Sequence, residues 1–188
     1  MTENITLKNP TNEINKTINE DEKNLISVII HNVKGSLSKV TGYCAENNMN
    51  IERLVLSNFK TDNQLHRVIM YITGDRKRIN SLIEGLKKLD VVVDASNFQA
   101  NKYLERELLL IKVRTDDKYL PKISDLVNDY DGKTILVNNK IIIFQFINDE
   151  ETNNELMQRL ELNGTTNDIE IIKSGVIATS LDDRMMMK

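Results

Sequence analysis

Chemically reactive side chains are scarce in this sequence: one cysteine, Cys44, and two histidines, His31 and His66, in 188 residues. A lone cysteine excludes an intramolecular disulfide framework and fits a reducing compartment. Each histidine stands at the end of an expected strand, without metal-ligand spacing, so both are expected to be structural rather than catalytic or ligating. No Walker loop, G-x-G-x-x-G, G-x-S-x-G or metal-type C-x-x-C occurs. Tryptophan is absent, and aromatic residues make up 5% of the chain. No apolar run approaches the ~20 residues that would cross a bilayer. The formal net charge of -3 gives no reason to expect nucleic acid or a membrane surface as partner.

What is present can build a core: 40% of the residues are hydrophobic. The length suits one ordinary domain or two small ones. Residues 1–23 are polar and rich in Asn, Glu and Lys. They lack the apolar middle of a signal peptide and the basic, acid-poor character of a transit peptide. The expectation is a disordered extension on a cytoplasmic protein, with residues 182–188 as a frayed tail.

Between these ends the hydrophobic period alternates between strand and helix. LISVIIH, 25 to 31, is rich in β-branched residues and reads as a strand. A helix follows with Leu37, Val40, Thr41, Cys44 and Ala45 on one face. It ends at Asn47-Asn48, where Asn can adopt the left-handed conformation. NIERLVLSNF and LHRVIMYIT are strands on either side of a KTDN loop. Asp75 suits the N-cap of a second helix, whose stripe is Ile79, Leu82, Ile83, Leu86 and Leu89. VVVDASNF is a fourth strand. The order β-α-β-β-α-β is the ferredoxin-like pattern.

The pattern then repeats without repeating residue identities. LERELLLIKV is a strand. Pro121 opens a helix carrying Leu120, Ile123, Leu126 and Val127. KTILVN and KIIIFQFI flank Asn138-Asn139 as a hairpin. A helix over about 150–161 carries Leu156, Met157 and Leu160, and DIEIIKSGVIA closes the unit as a strand. The fold class is therefore α+β, two ferredoxin-like domains over residues 24–99 and 103–181. Within the fifth strand, Glu105, Arg106 and Glu107 read most simply as a solvated edge, or more sharply as a charged contact with a partner. Asp131-Gly132 reads as a turn and Asp182-Asp183 as a solvated pair.

The junction HNVKGSLSKV, 31 to 40, joins the first strand to the first helix. The first amides of a helix lack intrahelical partners and sit at the positive end of its dipole. They can hold a carboxylate. Gly35 allows close approach to its backbone, and the amide oxygen of Asn32 could accept from an ammonium group. Asn50, at the start of the next strand, adds a second amide. Together these complement a free α-amino acid. The alternative is an ordinary turn in which Ser36 or Asn32 caps the helix.

Several stretches resemble one family in order along the chain: ISVIIHNVKGSLSKVTGYCAENNMNIERLVL, HRVIMYITGD, LERELLLIKV, DGKTILV and EIIKSGVIATS. They are similar to the small, regulatory subunit of acetolactate synthase, over about residues 24–181. The L-E-R-E-L segment and the terminal S-G-V block are its most specific features. The resemblance implies an N-terminal ACT domain, a ferredoxin-like amino-acid sensor, and a second ferredoxin-like domain. It implies a chain without catalytic activity or cofactor of its own. Such a chain forms a homodimer, activates a separate catalytic subunit and confers feedback inhibition by valine or another branched-chain amino acid. Thiamine diphosphate, magnesium and FAD belong on the catalytic subunit.

Residue by residue, the resemblance places Asn32 against the effector and its carboxylate at Gly35, Ser36 and Leu37. Asn50 and Ile51 would reach the effector across the dimer interface. His31 stands where the family has Glu, Asn48 where it has Gly, Arg53 where a small polar residue is common, and Lys173 where it has Arg. The rival reading is a free-standing amino-acid-sensing module acting on another target.

Overall fold

The structure, a computed structural model, describes residues 23–59, 64–98, 103–115, 120–162 and 169–181. The polar extension as far as residue 22, the KTDN loop, the join at 99–102 and the tail with Asp182-Asp183 lie outside the described residues. The chain divides into two compact units. One runs over Glu105–Ile177, and the other holds the described residues up to Leu104 and from Ala178.

The first unit is built from β1 (Lys23–His31), α1 (Ser36–Glu46), β2 (Ile51–Phe59), β3 (Leu65–Thr73), α2 (Arg76–Leu86) and β4 (Val92–Asn97). Its sheet has the order β2-β3-β1-β4, with antiparallel neighbours throughout. Period-two alternation sends Ile26, Val28 and Ile30 of β1 and Val68, Met70 and Ile72 of β3 into one core. Val40 and Cys44 of α1 and Ile79, Leu82, Ile83 and Leu86 of α2 close over them. Each such side chain contributes roughly 1.5–3 kcal/mol by leaving water. Burial pushes the Cys44 thiol up to about 11, consistent with a small hydrophobe rather than a nucleophile.

One expected core position is overturned: Ala45 is exposed, and Tyr43 packs against the cluster instead. At about 100° per residue, the face centred on Val40 and Cys44 has rotated past Ala45. The helix ends as expected, with Asn48 at a φ of 53°. Tyr43 reaches α2 at Gly85, where a Cβ would lie 1.8 Å from its hydroxyl.

The second unit repeats the order: β5 (Tyr103–Arg114), α3 (Leu120–Asp129), β6 (Lys133–Val137), β7 (Ile141–Asn148), α4 (Glu150–Leu162) and β8 (Glu170–Ser180). Its sheet runs β6-β7-β5-β8. Leu109, Ile111, Val113, Ile123, Leu126, Phe144, Phe146, Leu156 and Leu160 form its core. The hairpin closes at Asn138, whose side-chain oxygen accepts from the amides of Lys140 and Ile141.

The solvated-edge expectation for Glu105-Arg106-Glu107 is corrected here. β5 lies between β7 and β8, and Glu105 and Glu107 are 4% and 1% exposed. A carboxylate so placed needs partners. Asn153 Nδ2 of α4 donates to Glu107 Oε2 at 3.2 Å, and Lys173 Nζ of β8 stands 3.6 Å from the same oxygen.

Candidate functional site

At the end of the first sheet, β1 hands the chain to α1 through four residues, Asn32–Gly35. The Val33 amide donates back to His31 O at 2.9 Å, and the Ser36 amide donates to Val33 O at 3.2 Å. Gly35 takes the N-cap position at φ 85°, in the left-handed region. A side chain is strained there by roughly 1–2 kcal/mol. Apart from its chain neighbours, no described residue comes within 4 Å of the place its Cβ would occupy. Gly35, the N-cap residue, has no side chain to close this helix start, and the Ser36 hydroxyl makes no capping bond among the described residues. The amides of Leu37 and Ser38, second and third in the helix, have no acceptor within it.

Beside these amides is a cavity of about 200 Å³, lined by Ile30, His31, Asn32, Val33, Gly35, Ser36, Leu37, Ser38, Leu56 and His66. Ser36 is 3% exposed, yet its hydroxyl has no hydrogen-bond partner among the described residues. A buried polar group left unmade costs about 1–3 kcal/mol. Its position on the cavity wall suits completion by a guest. None of the lining residues is acidic, so the positive end of the α1 dipole is not neutralised by one of them. Around the corner, Lys39 Nζ meets the Asp90 carboxylate at 2.7 Å, and this hydrogen bond holds Asp90 below the usual carboxylate range.

Four expected residues, Asn32, Gly35, Ser36 and Leu37, therefore share one cavity wall. Asn50 and Ile51 do not join them within one chain. Ile51 pairs with Ile72 at the far end of β3, whereas Leu65 at the near end pairs with His31. Those ends are roughly 25 Å apart at strand rise.

Sequence reasoning noted His31 at this junction as a departure from the family, and it missed His66 and Leu56 as cavity residues. His66 pairs with Ile30 and shares the core face of β3 with Val68. The alternation of LHRVIMYIT carries that signal, but the pairing of β3 with β1 is needed to place His66 beside the helix start. Among the described residues, no group of three or more His, Cys, Asp or Glu side chains could hold a metal ion. None of the described helices is long and apolar enough to cross a membrane.

The first ferredoxin-like unit is of the ACT class: residues 24–91 match the ACT domain model. Residues 106–181 match the model for the small subunit of acetolactate synthase. The acetolactate synthase small subunit of Haemophilus influenzae is 26% identical over 165 residues, covering 88% of this chain and 99% of its own length. That of Buchnera aphidicola (subspecies Baizongia pistaciae) is 28% identical over 157 residues, covering 82% and 95%. The crystal structure of the Thermotoga maritima small subunit superposes with a TM-score of 0.72 at 28% identity, covering 85% of this chain and 97% of that one. Over most of its length the chain is similar to acetolactate synthase small subunits, with an ACT domain match followed by a match to the small-subunit model.

Proposed function

We propose that this chain is a non-catalytic regulatory subunit that activates an acetolactate synthase catalytic subunit and makes it responsive to a branched-chain amino acid. The observation that carries the effector site is the uncapped start of α1, with the partnerless hydroxyl of buried Ser36, beside a cavity of about 200 Å³. In this reading the effector carboxylate accepts from the Leu37 and Ser38 amides and from Ser36 Oγ. Its ammonium group meets the Asn32 amide oxygen, and its branched side chain lies among Ile30, Val33 and Leu56. Charge-assisted hydrogen bonds are worth roughly 1.5–3 kcal/mol each. Two or three support a Kd near ~0.1 mM, which needs about 5.5 kcal/mol.

Asn50 and Ile51 complete the site from the second protomer of a homodimer. The edge position of β2 supports this, because an antiparallel pairing of β2 with its copy would bring the start of one β2 towards the end of the other. An effector held between protomers favours one arrangement of the dimer, and the catalytic subunit, with its thiamine diphosphate, magnesium and FAD, responds to that arrangement. Coupling of this kind is typically worth 1–3 kcal/mol. The setting is cytoplasmic. The test is reconstitution with the cognate catalytic subunit: acetolactate production should rise on mixing and fall again with valine. No change on mixing overturns the regulatory reading. A rise that none of valine, leucine and isoleucine reverses overturns the feedback part alone.

A further inference from the structure

In the second unit both helices lie on one face of the sheet, where Ile123 and Leu126 of α3 and Leu156 and Leu160 of α4 meet Leu109 and Ile111 of β5. Strand alternation sends the intervening residues to the opposite face. Register fixes that set: Leu136 of β6 stands opposite Ile143 of β7, and Ile147 of β7 opposite Leu108 of β5. Leu110 lies between Leu109 and Ile111, and Ile172 of β8 follows Ile171, which packs on the core, so both belong to the same outer face. Neither α3 nor α4 covers these side chains, and Leu136, Ile147 and Ile172 are 39%, 52% and 53% exposed. Four strands about 4.8 Å apart, each giving about five residues at about 3.3 Å, span on the order of 300 Å². An exposed apolar patch of that size marks an interaction site.

Charge decides what fits there. Lys112 and Arg114, opposite Ile143 and Ile141, bound the apolar set at one end, and Arg106 bounds it at the other. Lys133, opposite Gln145, stands on the β6 side. Against these four cations the strands place one carboxylate on this face, Glu170 of β8, and Lys112 holds it at 2.8 Å. The face is cationic on a chain whose formal net charge is -3. A second copy stacked on it would set cations against cations. Its outer strand positions are aliphatic and carry no aromatic ring, so it offers nucleic-acid bases no stacking platform. We propose that this face docks a protein surface that is aliphatic at its centre and bears carboxylates at its rim. On the function proposed above, that surface belongs to the catalytic subunit. The inference rests on that reading and names the face of this chain that makes the contact. Burial of Leu136, Ile147 and Ile172 supplies affinity, and carboxylates opposite Arg106 and Lys133 supply orientation and association rate.

Titration of the full chain against the catalytic subunit tests this, with affinity read by sedimentation and by reconstituted acetolactate production. The double variant Ile147→Glu, Ile172→Glu places carboxylates at the centre of the face and should bind at least ~30-fold more weakly. Both side chains are more than half exposed, so circular dichroism and the sedimentation of the free chain should stay unchanged. Should that variant fold poorly, Lys133→Glu serves instead: one exposed charge is reversed, and binding should weaken about tenfold at low salt and less at high salt. Unchanged affinity in both variants overturns the docking face and leaves the regulatory reading standing. A double variant whose own copies come apart, with affinity for the catalytic subunit kept, assigns the face to a second copy and overturns the proposal. Capture of the unaltered chain, but not of the double variant, by vesicles of phosphatidylcholine and phosphatidylserine, again with affinity for the catalytic subunit kept, assigns it to a membrane and also overturns it. No association of the unaltered chain with the catalytic subunit overturns the regulatory reading and this contact together.

Discussion

Among the described residues, the starts of α1, α2 and α4 are of two kinds. α2 and α4 carry their own caps: the Asp75 carboxylate accepts from the Arg78 amide at 2.9 Å, and the Asp149 carboxylate accepts from the Thr152 amide at 2.8 Å. Each places a negative charge against the positive end of a dipole. α1 has the same orphan amides, but begins on a left-handed glycine with no side-chain cap and buries a hydroxyl that has no partner of its own. An Asp or Ser cap is the common solution and is worth about 1 kcal/mol. The helix that omits it stands beside the cavity. In the proposed reading, the difference separates the α2 and α4 starts, which serve the fold, from the α1 start, which receives a guest.

The most severe way to break this contrast is to give α1 a cap like those of its neighbours. Gly35→Asp puts a carboxylate at the N-cap and should weaken valine binding at least ~100-fold, roughly 2.7 kcal/mol or more. Activation of the catalytic subunit should persist, as measured by reconstituted acetolactate production at saturating valine. Ser36→Ala sharpens the contrast. It removes a buried polar atom that the fold leaves unsatisfied, so unfolding stability without effector should stay within ~0.5 kcal/mol or rise. Valine affinity should fall about tenfold, as expected for one lost hydrogen bond. A structural hydroxyl would lose stability and spare affinity, so chemical denaturation and calorimetry together separate the two roles. Asp75→Ala and Asp149→Ala make the reverse change. Each should cost about 1 kcal/mol of stability and leave valine affinity unaltered. Smallest is Asp90→Asn: with the Lys39 pair so exposed, stability and affinity should barely change.

Much of this contrast could be read from the residues. Asp75 before a 3.6-residue stripe signals a cap, and Asn32-x-x-Gly35 signals an unusual junction. The β3 strand was expected at 65–73, where it lies. Local chemistry carries such features, because a cap or a turn depends on neighbours in sequence. The missed features depend on pairing. Glu107 looks like an edge residue until β7 and β8 flank its strand, and Asn153, which holds it, is 46 residues away. His66 looks like a solitary histidine until β3 lies beside β1. Ala45 was misplaced because an apolar residue one step past Cys44 fits a wide stripe on paper, whereas the face centred on Val40 and Cys44 is narrower.

On this reading α1, unlike α2 and α4, begins at a site for an anion. Its most direct test is a backbone amide titration of the full chain with valine, followed by two-dimensional nitrogen–proton resonance. The account predicts saturable shifts at Leu37 and Ser38, with the amides of Arg78 and Thr152, already held by Asp75 and Asp149, unmoved. Shifts of equal size at all of these amides, or none at Leu37 and Ser38 at millimolar valine, would contradict it.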